Sequence, residues 1–124
     1  MAENKEYAVQ QEENGTINIS EEVVATIAYT AAKDVDGVNA LTGNISDDIA
    51  GILGKKNVNR GIRVQLLEEG VLVECSVEAK YGAAVVEMAR NVQTAVASAI
   101  ESMTGLKVKN VAVNIVGIAV NPTK

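Results

Sequence analysis

Apolar residues recur along this chain with two periods, one near two residues and one near 3.6, and the switch between them lays out the elements. GTINIS alternates apolar and polar with β-branched residues and predicts a short strand at 16–19. Ser20 then stands as a helix N-cap, with Glu21 and Glu22 in the first turn, where the helix dipole favours negative charge. Val23, Ile27 and Ala31, flanked by Val24 and Ala28, predict a helix over 21–33 that ends at the Asp34–Gly37 turn. VNALT at 38–42 reads as a weak strand, and Ser46 as the cap of a short helical segment ending at Gly54.

The second half is more regular. Gly61–Leu67 and Val71–Ala79 both alternate and are joined by a tight Glu68-Glu69-Gly70 turn, which predicts a β-hairpin. Val71, Val73, Cys75 and Val77 share its apolar face; Glu74, Ser76 and Glu78 share the wet one. Val85, Met88, Ala89, Val92, Val96, Ala99, Ile100 and Met103 form one stripe of a long helix over 83–103, and Gly105 supplies the left-handed stop. A last strand runs over 107–118. The order β-α-β-(short α)-β-β-α-β describes an α/β (α+β) two-layer sandwich, two helices covering one face of a mixed or antiparallel sheet. Residues 1–14, polar and carrying four glutamates, read as a flexible acidic tail, 15–120 as a single domain and 121–124 as a second tail.

Composition narrows what such a sandwich is made of. The 124 residues contain no Phe and no Trp, so Val, Ile, Leu and Ala fill the core. A net charge of −5 argues against nucleic acid and against anionic membrane as general partners. The one cysteine, Cys75, forms no internal disulfide, and no apolar stretch approaches the ~20 residues of a membrane span, so a cytoplasmic protein without direct membrane insertion is expected.

Four segments are together similar to the alkaline shock protein (general stress protein) family of Gram-positive bacteria. They are GTINISEEVVATIAYTAAKDVDGVNALTG at 15–43, KKNVNRGIRVQLLEEGVLVECSV at 55–77, KYG at 80–82 and NVQTAVASAIESMTGLKVKNVAVNIVGI at 91–118. The resemblance implies a non-enzymatic cytosolic protein linked to cell-envelope and alkaline stress, recruited to the membrane, where it acts there, by a partner. Two departures stand out: Ala83-Ala84-Val85-Val86 replaces a typical Ile-Pro-Glu-Val, and Asn114 occupies a place where His is common.

The inventory of reactive side chains points the same way. With no His, imidazole catalysis and the common zinc sites lose their usual player, and no cofactor is implied. Cys75 falls on an apolar strand face and reads as a small buried hydrophobe. Glu74 and Glu78 share a strand face but lie roughly 13 Å apart at ~3.3 Å per residue, too far for a compact acid–base pair. GILGKKNVNRGIR at 51–63 carries Lys55, Lys56, Arg60 and Arg63 with no acid among them. It fails as a Walker A loop, because Ile49 stands at the first glycine position and Lys56 replaces Ser/Thr. Its Gly51–Gly54 step matches the GXXG of KH domains, and no aromatic lies nearby to stack a base. The segment is either a solvated loop or an anion- or RNA-binding site.

The last strand is the other interaction candidate. Val111, Val113 and Ile115 are expected on its core side, with Ala112 and Val116 on the outer face and Ile118 extending the apolar run. Either a segment of the same chain covers that face or a second copy or another protein does. The expected function is therefore scaffolding in a stress response, through a homo-oligomer or a protein partner.

Overall fold

The computed structural model describes residues 7–42 and 61–120. In chain order these form β1 (Tyr7–Glu12), β2 (Gly15–Ser20), α1 (Glu21–Lys33), β3 (Val38–Leu41), β4 (Ile62–Leu67), β5 (Gly70–Lys80), α2 (Val85–Thr104) and β6 (Val108–Ala119). Among the described residues the α+β sandwich is the predicted one, with one addition; the short helical segment expected up to Gly54 and the tail expected at 121–124 lie outside them. Tyr7–Glu12 is a strand and not a tail, paired antiparallel to β2 from Tyr7↔Ser20 to Glu12↔Gly15. The register explains the correction: Ala8 and Ile19 face each other and pack on the core, while the Gln10 side chain donates to the Thr104 carbonyl at 2.9 Å. Glu12 and Glu13, two of the four glutamates that suggested a tail, lie at the exposed turn of this hairpin, where charge is harmless.

Local signals set both helices. Ser20 caps α1, its hydroxyl accepting from the Val23 amide at 3.3 Å. The buried stripe of α1 is Val24, Ile27, Ala28 and Ala32, rotated from the predicted one so that Val23 is exposed. Helix α2 starts two residues later than its pattern suggests, at Val85, without a side-chain cap, and ends where Gly105 turns left-handed at φ 77°.

The main sheet is built around β5. On one edge β5 pairs antiparallel with β4 along its first half and with β3 along its second; on the other it pairs parallel with β6. Ser76 marks the junction of β3 and β4, its amide donating to the Gly61 carbonyl at 2.8 Å and its carbonyl accepting from Thr42 at 3.0 Å. Gly61 is required there twice over: its φ is +81°, and a Cβ would lie 2.8 Å from the Thr42 nitrogen. Both helices cover one face, and between them and the sheet lie Leu66, Val71, Val73, Cys75, Val77, Met88, Val92, Val96 and Ile100, each at most 3% exposed. Small residues on α1, Ala28 and Ala32, keep that interior closed without a Phe or Trp.

Candidate functional site

The face of the sheet away from the helices carries a polar row. In register, Leu72, Glu74, Ser76 and Glu78 of β5 stand beside Asn110, Ala112, Asn114 and Gly117 of β6. Asn114 donates through Nδ2 to Glu74 Oε2 at 2.8 Å, and Asn39 donates to Glu78 Oε1 at 2.9 Å. Arg63 of β4 reaches Glu74 at 3.7 Å, with both side chains well exposed. The two carboxylates are thus held apart by separate amide partners, which suits a solvated surface rather than acid–base chemistry. Asn114, where the resemblance favours a His, fixes Glu74.

Of the residues that the sequence singles out for interaction, Ala112 lies on this outer face, half-buried. Val116 does not share a regular position with it: the register jumps from Val77↔Ile115 to Glu78↔Gly117, so Val116 is the extra residue of a bulge. The bulge also turns the strand over. Ile118 pairs with Ala79, which points to the helices, and so faces opposite to Ala112. The single apolar outer face that simple alternation predicts is replaced by a polar row, with the exposed apolar groups gathered toward the far end of β6. There Ile115 is 37%, Val116 57%, Ile118 50% and Val120 69% exposed.

The free edge of β6 is the more informative feature. Even-numbered residues of β5 bond toward β3 and β4, as Ser76 does to Gly61 and Thr42 and Lys80 does to Gly37. Its odd-numbered residues, Val73, Cys75 and Val77, therefore turn their amides to β6. Their register partners are Val111, Val113 and Ile115, and in a parallel ladder those partners aim their own N–H and C=O groups away, along the outer edge. Gln93 of α2 meets one of these groups, donating to the Val111 carbonyl at 3.1 Å. Among the described residues no strand pairs with that edge. Val86 lies two helical turns before Gln93 on the same face of α2 and is 59% exposed. The outward amides of Val113 and Ile115 were not legible as a site, because they follow from hydrogen-bond parity; the signal available was the absence of charge from Asn110 to Val120.

Cys75 is fully buried on the core face of β5. Desolvation, with the Glu74 carboxylate beside it in sequence, pushes its thiol up to about 12, the reverse of what a nucleophile needs. Lys55, Lys56, Arg60, Ser46 and the Gly51–Gly54 step lie outside the described residues. Arg63 sits in β4 with Glu74 within ion-pair distance. Among the described residues no helix is long and apolar enough to cross a membrane.

The geometry defines a small two-layer α+β domain whose main sheet has an open edge among the described residues. The chain belongs to the alkaline shock protein family, described as having a cell envelope-related function, whose profile matches residues 9–120. It is similar to the uncharacterized Bacillus subtilis (strain 168) protein YloU, 35% identical over 111 residues covering 87% of this chain and 92% of that one. A second B. subtilis protein, the uncharacterized YqhY, is 31% identical over 104 residues covering 84% of this chain and 77% of its own length. Among solved structures, the copper form of MamM CTD shares the fold with a TM-score of 0.50 at 15% identity, covering 84% of this chain and 92% of its own.

Proposed function

We propose that this chain is a non-catalytic scaffolding protein of cell-envelope homeostasis and stress response, acting in the cytoplasm by self-association or by binding a protein partner that recruits it to the membrane. The observation that carries this reading is the β6 edge, unpaired among the described residues and uncharged from Asn110 onward, with Ile115 exposed beside a central strand bonded on both sides. The absence of catalysis rests on a chain without His, on a buried high-pKa Cys75 and on carboxylates held by amides. Analytical ultracentrifugation and light scattering of the full chain across a concentration series test it, with oligomers expected. A strictly monomeric species that also captures no envelope-associated protein from its host would overturn it.

The alternative, an anion- or RNA-binding module using residues 51–63, draws on the cluster of Lys55, Lys56, Arg60 and Arg63. Its signature is binding that falls steeply with salt and is lost in a Lys55→Ala/Lys56→Ala/Arg60→Ala variant. The Arg63–Glu74 pair weakens it, since one of its four cations already has an acidic neighbour.

A further inference from the structure

We infer that two copies of this chain join through their β6 edges, antiparallel, about a two-fold axis passing beside Val113. The inference deepens the self-association reading and rests on it.

The register of β6 on β5 shifts between Val108 and Asn110 and again between Ile115 and Gly117. Between these shifts the strand is regular, and there Val111, Val113 and Ile115 present their amides outward. A two-fold axis at Val113 sets Val113 against its own copy and Val111 against Ile115, so every outward N–H meets an outward C=O. The Val111 carbonyl, already bonded to Gln93, keeps a second lone pair for this ladder.

Three features favour a second copy over a foreign strand. First, antiparallel pairing of equal parity keeps faces matched: the half-exposed Ile115 meets the buried Val111 side, while Ala112 and Asn114 stay on the polar face. Second, the copies each carry a net charge of −5, and the contact falls within Asn110–Val120, a stretch with no charge to repel its twin. The same stretch offers no charged side chain to select a foreign partner. Third, the flanking register shifts end the ladder after five residues. A two-fold contact then consumes both edges and closes on itself, as an isologous dimer requires.

The pairing predicts a specific cross-link. Ala112 lies opposite Asn114 of the other copy as a non-hydrogen-bonded pair, with Cα atoms about 4.5 Å apart, within disulfide range. Ala112 and its own copy are offset by about 8 Å, beyond that range. With Cys75→Ala removing the native thiol, the Ala112→Cys/Asn114→Cys double variant is expected to give a covalent dimer on mild oxidation. Each single variant is expected to stay monomeric on a denaturing gel. Ile115→Lys is expected to weaken association at least ~30-fold by sedimentation, with the far-UV spectrum unchanged. Association without the double-variant cross-link, or cross-linking as strong in the single variants, overturns the β6 pairing while leaving self-association intact. A monomer at every concentration up to ~1 mM, an affinity limit of about 4 kcal/mol, removes both. Should Ile115→Lys fail to fold, the cross-linking arm decides alone.

Discussion

β5 and β6 lie side by side in register, are nearly equal in length and share a pattern of alternating valines, yet they do opposite work. β5 is bonded on both edges, and its helix-facing residues from Val71 to Ala79 are at most 2% exposed. Among the described residues β6 is bonded on one edge; of its helix-facing residues, Val111 is 8% exposed, Ile115 37% and Ile118 50%. The difference does not come from hydrophobicity. It comes from position: β5 is the central strand beneath α1 and α2, while β6 lies at the edge of the sheet and its far end stays exposed. A strand of the same chemistry is structural where it is covered and available for association where it is not.

The widest gap between the two strands should appear when the same charge is placed at register partners, Val77 and Ile115. Val77→Asp buries a carboxylate with no cation in the core beside it and is expected to cost ~5 kcal/mol or more, enough to unfold a domain of this size. Ile115→Asp leaves the carboxylate partly in water and is expected to cost less than ~1.5 kcal/mol, while abolishing self-association. Urea midpoints read both. Equal destabilisation would mean that the end of β6 is core and that the comparison is mistaken.

Most of the contrast was legible in the sequence, and its limits are physical. Alternation in GVLVECSVEAK identifies the buried face of β5, and the stripe from Val85 to Ile100 identifies the helix that covers it, because both periods are enforced by one core. Two features escaped. Tyr7–Glu12 is weakly apolar, and its strand is fixed by nonlocal contacts, Ala8 on the core and Gln10 on Thr104, which no local pattern records. Likewise the bulge at Val116 is a property of pairing with β5 and is invisible in β6 alone. It moves Ile118 to the helix side and breaks the surface that alternation assigns to Ala112, Val116 and Ile118.

An intermediate effect tests β5 from inside. In the folded chain the Cys75 thiol titrates near 12, against an ordinary value of 9.0 in the unfolded chain. Below pH 9 both states hold the proton, and Cys75 adds no pH dependence. From pH 9 to 12 the unfolded chain ionises first, so stability falls as pH rises, by roughly 2 kcal/mol at pH 10.5. Cys75→Val should flatten this part of the profile relative to the parent chain, since lysines and tyrosines contribute equally to both. Urea midpoints at pH 8 and 10.5 supply the comparison. A variant with the same alkaline loss as its parent would show that the thiol is solvated and that the interior of β5 is less closed than its burial indicates.

The smallest effect belongs to the wet side of the same two strands. Arg63 and Glu74 approach to 3.7 Å with relative exposures of 63% and 44%, a distance and setting in which Coulomb attraction is largely offset by hydration and side-chain entropy. Glu74 also accepts the shorter 2.8 Å bond from Asn114, so losing Arg63 leaves it partnered. Arg63→Ala is therefore expected to lower stability by less than ~0.5 kcal/mol in urea unfolding, and by less still at high salt, where the exposed pair is screened. A loss above ~1 kcal/mol would instead mean that the outer face is an electrostatic network that helps hold β4, β5 and β6 together. In that case the division of labour between a structural β5 and an associating β6 would hold only on the helix side of the sheet.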